Sequence, residues 1–267
     1  MTKQQVRDFW DQASCGEVYA QGATLRQRLE AQAATRHRLE PYIAGFARFP
    51  EGAGCDVLEV GVGMGADHLE WAQAHPRRLA GVDHSARAVE FTRRRLGLYG
   101  LKPQVLVGDA EDLPFAEGSF DLVYSWGVLH HSPDTGRAVA EVLRVLRPGG
   151  RARVMIYHRP SVVGYLLWIR YGLLAGCPGR SLADIYAHHL ESPGTQAFTV
   201  AQARALFGGF SQIKTRVELS CGDLLEAAAG QRHAGPLLAA ARKLWPRAMI
   251  RRTLESHGLF LLIEAVK

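Results

Sequence analysis

The chain has 267 residues, 47% apolar and 22% charged, with a formal net charge of +6. A disordered chain is excluded, because a real core forms at that composition, and the length suits one large domain or one domain with an elaboration. The whole charge excess sits in residues 227–254, where Arg232, Arg242, Lys243, Arg247, Arg251 and Arg252 meet no acid, so a nucleic-acid protein with a basic surface throughout is not expected.

Residues 1–50 read as amphipathic helices, with Val6, Phe9, Trp10, Leu25, Leu29 and Leu39 as the apolar positions. Pro50 to Gly54 is a turn-rich break. Strands and helices then alternate. Val57–Val60 is a buried strand that ends in glycines. A helix through Leu69, Trp71 and Ala72 stops at Pro76. Leu79–Val82 is the second strand. Ser85 caps a helix that turns Val89 and Leu96 inward and ends near Gly97. Gln104–Val107 and Phe120–Ser125 are the third and fourth strands. Thr135–Leu146 is a helix with Val139, Val142, Leu143 and Leu146 on one face. Pro148-Gly149-Gly150 ends it, and Arg151–Tyr157 is the fifth strand. This alternation predicts a parallel sheet with helices on both faces.

Past Tyr157 the rhythm changes. Residues 159–198 hold a largely apolar helix and then loops, expected as a cap over the carboxyl edge of the sheet. Thr199–Phe207 reads as a helix, Ile213–Leu219 as a strand, residues 222–252 as a basic helical insert, and His257–Val266 as a closing strand. The last two strands suit a hairpin-like end rather than another crossover. The expected organisation is a helical lid over 1–50, a core over 51–158, a cap over 159–198, and the rest of the core over 199–267.

Cys15, Cys55, Cys177 and Cys221 make no C-x-x-C pair and no zinc spacing, which suits inert thiols in a reducing compartment. The opening residues lack the apolar centre of a signal peptide. The most apolar run, 162–176, is interrupted by Arg170 and is shorter than the ~20 residues that span a bilayer. A cytoplasmic location is expected.

The informative segment runs Asp56-Val57-Leu58-Glu59-Val60-Gly61-Val62-Gly63-Met64-Gly65-Ala66-Asp67. Glycines between a strand and a helix let a ligand lie against the backbone, and the helix start offers free N–H groups. Gly61-x-Gly63-x-x-Ala66 also satisfies a dinucleotide fingerprint. Asp83 lies 22 residues after Gly61, at the end of the second strand, where a carboxylate can accept both hydroxyls of a ribose. As an alternative it serves the turn at Ser85.

Three further stretches follow in order: Val107-Gly108-Asp109-Ala110-Glu111-Asp112-Leu113-Pro114-Phe115, then Phe120 to His131, then Val145-Leu146-Arg147-Pro148-Gly149-Gly150. The ordered set resembles the class I S-adenosylmethionine-dependent methyltransferases, in the small-molecule branch that includes the quinone-biosynthesis enzymes. The resemblance covers Asp56 to Tyr157. It implies an α/β, Rossmann-like, doubly wound seven-stranded sheet with a reversed C-terminal strand and helical cap insertions. It implies S-adenosyl-L-methionine as cofactor. Glu59, Gly61, Gly63 and Gly65 match the loop around the methionine part, Asp83 the ribose acid, and Asp109 with Ala110 the adenine contacts. Ser125 matches the strand end where the cofactor and the substrate wall meet. Residues 1–50, 159–198 and 222–252 lie outside the matched motifs, and in this family those segments choose the substrate.

Methyl transfer needs alignment and exclusion of water, so lids matter. Residues 5–30 and 159–198 are the candidates. Tyr19 is expected to close over the methionine end, or to be an ordinary tyrosine of an amphipathic helix. Trp126 lines the acceptor pocket or packs in the core. His130, His131 and His158 are the candidate bases if the nucleophile arrives protonated. No full metal-ligand constellation is visible. The expected partner is a small molecule. Nucleic acid is not expected, whereas peripheral membrane contact by the basic stretch and homodimerisation stay open. A nicotinamide oxidoreductase and a non-catalytic S-adenosylmethionine-binding protein are the alternatives.

Overall fold

Strict alternation along the strands builds two cores, one on each face of a single sheet. The computed structural model describes residues 2–102, 104–226 and 242–267. Seven strands run β1 Asp56–Val60, β2 Arg78–Asp83, β3 Gln104–Val107, β4 Phe120–Trp126, β5 Leu146–Tyr157, β6 Gln212–Glu218 and β7 Phe260–Val266. Their order is β3-β2-β1-β4-β5-β7-β6. β1 to β5 are parallel neighbours, and β7 runs antiparallel between β5 and β6. The reversed end is therefore present, with β7 inserted between its predecessors.

Leu58, Val60, Val123, Val154, Ile156, Leu261 and Ile263 point to one face. There they meet Val139 and Val142 of a helix over Thr135–Val145 and Phe207, just past a helix over Val200–Leu206. Val57, Tyr124, Trp126, Met155, Tyr157 and Leu262 point to the other face. They meet Ile43, Phe46, Trp71 and Tyr186. Strands buried on both faces explain the near-continuous apolar runs in the sequence.

The first fifty residues form α1 Lys3–Gln12, α2 Leu25–Leu39 and α3 Tyr42–Ala47, and Thr2 and Thr24 begin α1 and α2 with capping boxes. α4 Ala66–Gln73 and α5 Ala86–Gly97 follow β1 and β2, and Ser85 caps α5 by accepting from the Ala88 N–H. α6 is Thr135–Val145, α7 Val162–Trp168, α8 Leu182–His189, α9 Val200–Leu206 and α10 Arg247–Thr253. A π turn over Ile169–Leu173 continues α7. Part of the expected basic insert, residues 227–241, lies outside the described residues.

One boundary differs from the sequence reading. β5 starts at Leu146, directly after α6, and Pro148-Gly149-Gly150 lies within it. Phe120 pairs with Leu146, but Leu122 pairs with Arg151, so residues 147–150 form a bulge. The bulge aims Arg147 at Asp56 and Asp121, 2.6 Å from each, and Arg77 reaches the same two carboxylates at 2.8 and 2.9 Å. The hydrogen bond from Arg77, joined by Arg147, holds the Asp56 carboxyl down at about 2 against an ordinary 3.8. A carboxyl depressed on folding stabilises the fold above its unfolded value and stops doing so as pH falls through the folded value. Asp56→Asn is thus expected to be less stable than the parent at neutral pH, the gap closing between pH 3.8 and about 2. Chemical denaturation across that window checks it, and a gap independent of pH would contradict it.

Candidate active site

The turn after β1 is built on glycines of two kinds. Gly61 has φ +87°, and a Cβ there would sit 2.0 Å from Val128 Cγ2. The fold itself needs that glycine. Gly63 has φ +52°, yet a Cβ on it would meet nothing within 4 Å, and Gly63 lines a cavity. A backbone that demands glycine and opens onto free space is a place for close ligand approach. Gly65 then begins α4 as its N-cap.

Asp83 closes this turn from the neighbouring strand. Its Oδ2 accepts from the Gly63 N–H and its Oδ1 from the Ser85 N–H, both at 2.9 Å. Burial pushes the Asp83 carboxyl up, and the two backbone donors oppose that. The carboxylate is therefore oriented, and it lines the same cavity. Since the resemblance implies that Asp83 takes the ribose of S-adenosylmethionine, Asp83→Ala is expected to weaken binding of that cofactor by about 1–3 kcal/mol, the worth of charge-assisted hydrogen bonds. Unchanged affinity in calorimetry would contradict this.

Glu59, on β1, and His68, on α4, meet in the interior at 2.8 Å. Burial, then Asp67, raises Glu59 well above the carboxylate range, and burial drives His68 down to about 3. Both shifts favour a neutral pair. Beside them, Arg36 of α2 grips Asp67 through two bonds of 3.0 and 2.7 Å, and Tyr124 Oη donates to Asp67 at 2.8 Å. Burial opposes ionisation of Asp67, but Arg36 holds its carboxyl below the ordinary value. Arg95 donates to the Met64 carbonyl at 2.7 Å and to Gln32 at 2.6 Å. The glycine turn is thereby tied to α2.

Asp109 follows β3. Its Oδ1 accepts from the Glu111 N–H at 2.9 Å, and Lys3 Nζ of α1 reaches its Oδ2 at 2.5 Å and Glu111 at 2.6 Å. Ser85 Oγ also donates to Asp11 of α1 at 2.5 Å. α1 thus lies latched across Asp109 and the start of α5. Asp109, Ala110 and Lys3 all line the cavity.

The cavity holds about 900 Å³. Its wall includes Gly61, Gly63, Asp83, Asp109 and Ala110, and the apolar side chains of Trp126, Met155, Leu167, Leu190, Leu259 and Phe260. Tyr19, in a turn over Glu17–Tyr19, lines it as well. Residues of 1–50 and of 159–198 contribute to the wall.

Ser125 does not line the cavity. It is fully buried, and alternation along β4 gives it the parity of Val123, facing the α6 side, whereas Tyr124 and Trp126 face the other. The strand end is at the site, but its cavity-lining residues are Trp126, Gly127 and Val128.

The three histidines separate in the same way. His158 has the parity opposite to Met155 and Tyr157. It is buried, its Nδ1 contacts the Gly258 carbonyl at 3.1 Å, and burial lowers its pKa. His130 is fully buried 3.9 Å from the Tyr157 ring, and burial, then His131, holds it well below its ordinary value. Neither lines the cavity; His131 does. Its Nδ1 lies 2.8 Å from Ser192 Oγ and 3.2 Å from Thr195 Oγ1. Thr195 Oγ1 donates its own proton to the Ser192 carbonyl at 2.7 Å, so it accepts from His131. Ser192 and Thr195 thereby fix the orientation of the ring, whose Nε2 is buried.

Nε2 stands 3.4 Å from Glu191 Oε2, and the same oxygen accepts from Tyr157 Oη at 2.6 Å. Burial, then Glu191, keeps the Tyr157 phenol well above its ordinary value, so it remains a donor. Tyr157 and Glu191 both line the cavity. Sequence reasoning missed both. Strand parity with Met155 was a usable signal for Tyr157. Glu191 lies past the end of α8, where no pattern marks it.

Residues 58–154 match the family of methyltransferase domains. The 27-O-demethylrifamycin SV methyltransferase of Amycolatopsis mediterranei (strain S699) is 34% identical over 116 residues, 43% of this chain and 42% of that protein. The phthiotriol/phenolphthiotriol dimycocerosates methyltransferase 1 of Mycobacterium ulcerans (strain Agy99) is 43% identical over 100 residues, 37% of this chain and 36% of that protein. The chain therefore spans about two fifths of the length of the curated relatives it matches. A geranyl diphosphate methyltransferase in complex with GPP and sinefungin shares the fold, with a TM-score of 0.62 at 18% identity over 99% of this chain and 98% of that one.

Proposed function

We infer that this chain, whose residues 58–154 match the family of methyltransferase domains, is an S-adenosylmethionine-dependent methyltransferase that methylates a hydroxyl on a small molecule with apolar bulk. One observation carries the reading: a single cavity of about 900 Å³ is lined by Gly63, Asp83 and Asp109, by apolar side chains, and by His131. That volume is at the upper end of the ~300–1,000 Å³ common for ligand sites, which suits a cofactor and an acceptor together.

The residues present fit the cofactor. Asp83, with both oxygens fixed by backbone donors, takes the ribose hydroxyls. Asp109 takes the adenine amino group beside the Ala110 backbone, once Lys3 yields its Oδ2. Glu59, Gly61, Gly63 and Gly65 surround the methionine part, and Tyr19 closes over it. Bound S-adenosylmethionine supplies an electrophilic methyl group on a sulfonium. Ser125 has no part in this set, since its side chain faces the opposite core.

His131 takes the proton that the acceptor hydroxyl loses, and Glu191 stabilises the imidazolium. Ser192 and Thr195 hold the ring in place. Tyr157 keeps Glu191 in place. The lid over 1–50 and the cap over 159–198 keep water from the reacting atoms. An oxygen acceptor is supported by the printed name of the rifamycin relative, which is a 27-O-demethyl compound's methyltransferase. An apolar acceptor is supported by the lining.

Purified protein, S-adenosylmethionine bearing an isotopically labelled methyl group, and a cell extract test this directly. Label is expected in small molecules that partition into organic solvent and that have gained one methyl on oxygen. Cofactor binding without any labelled product would instead support a non-catalytic binding protein.

A further inference from the structure

The exposed apolar side chains of this molecule are not scattered. Among the described residues eight large hydrophobics are exposed, and five of them fall in two short segments: Ile169, Leu173 and Leu174, then Leu244 and Met249. Leu174 is 77% exposed and Leu244 85%, which is costly for leucine in water.

The two segments are neighbours. Val162 of α7 packs with Ile250 of α10, and Leu166 and Trp245 lie against the same cluster. Trp245 Nε1, two residues before α10, also donates to the Asp223 carbonyl at 2.9 Å. Ile169 and Leu174 are exposed and also line the cavity, so they stand on its rim. Arg170, Arg242 and Trp245 line it beside them.

Charge completes the pattern. Between Arg242 and Leu254 the sequence has Arg242, Lys243, Arg247, Arg251 and Arg252 and no acid. Arg242 and Arg247 are spent on backbone carbonyls, and Arg251 pairs with Glu226. Lys243 and Arg252 are exposed and make no ion pair among the described residues. Ile250 is the buried residue of α10, so Met249 and Arg252, three apart, share the outward side. A leucine-bearing rim flanked by exposed cations complements an anionic bilayer, where apolar side chains enter the acyl boundary and cations meet the headgroups.

We propose that the rim formed by residues 169–174 and 242–252 docks on an anionic lipid surface, from which the apolar acceptor passes into the cavity. The passage of acceptor rests on the function inferred above, but the docking does not. Among the described residues no helix is long and apolar enough to cross a membrane, and docking of this kind requires none.

The test is flotation of the full chain with vesicles of phosphatidylcholine alone and with vesicles containing phosphatidylglycerol. The expected result is binding to the anionic vesicles, weakened by salt. A Leu173→Asp/Leu244→Asp variant, changed at two residues outside the cavity lining, is expected to lose it. Lys243→Glu/Arg252→Glu is expected to reduce binding about tenfold or more, from the lost headgroup attraction. Calorimetric binding of S-adenosylmethionine confirms that each variant is folded. No binding to either vesicle by a cofactor-competent chain would overturn the proposal. So would a parent that is dimeric and turns monomeric in the leucine variant, since the rim would then be a contact between copies. Vesicle binding needs no turnover, so absence of methyl transfer would sink the functional reading alone.

Discussion

Gly63→Val is expected to leave the chain folded while lowering its affinity for S-adenosylmethionine by at least about a hundredfold, close to 3 kcal/mol. The structure separates this position from the others in the turn. A side chain on Gly61 collides with Val128, and one on Gly65 would come within 2.8 Å of Thr92 Oγ1. Loss of binding in either variant would be confounded by disturbed packing. At Gly63 there is no neighbour to displace. The folding cost is that of a left-handed residue at φ +52°, about 1–2 kcal/mol, small beside the ~5–15 kcal/mol of an ordinary domain. The branched side chain instead fills the space through which a ligand reaches the backbone. Thermal unfolding and calorimetry on one sample provide both readouts. Tight binding by a folded Gly63→Val protein would mean that the cofactor lies elsewhere.

His131→Gln is expected to lower kcat by about 10²–10⁴-fold, the usual worth of a general base, with cofactor affinity unchanged. Glu191→Gln should show a smaller loss, since the base remains but its imidazolium is less stabilised. His158→Gln serves as the control, because His158 contacts the Gly258 carbonyl and not the cavity. An unchanged kcat in His131→Gln would show that the acceptor needs no base here, and the hydroxyl assignment would fall with it.

The central sheet was legible because its signals are local. Each parallel strand is a short apolar run ended by a turn residue, and Ser85 and Pro76 mark helix ends by chemistry that depends on nearest neighbours. The bulge at Arg147 to Gly150 was not legible, since it is set by a two-residue pairing with β4 rather than by its own composition. At the site, Gly63 and Asp83 could be read from spacing, and the structure places them 2.9 Å apart through one N–H. Side-chain direction was the weak point. Ser125 and His158 stand beside cavity-lining neighbours in the chain, but a strand turns successive residues to opposite faces. Applying that parity would have replaced them with Trp126 and Tyr157. His131 could not be separated from His130 in advance, because a single turn over Leu129–His131 sends one ring into the core and the other to the cavity. Glu191 comes from the cap, whose position depends on tertiary packing of α7 and α8.

A crystal structure with S-adenosylhomocysteine bound tests the account most directly. It should show the ribose hydroxyls on Asp83, the adenine beside Asp109 with Lys3 displaced, the homocysteine along Gly63, and the sulfur facing the part of the cavity that holds His131. A ligand bound away from the turn, or a sulfur turned from His131, would contradict it.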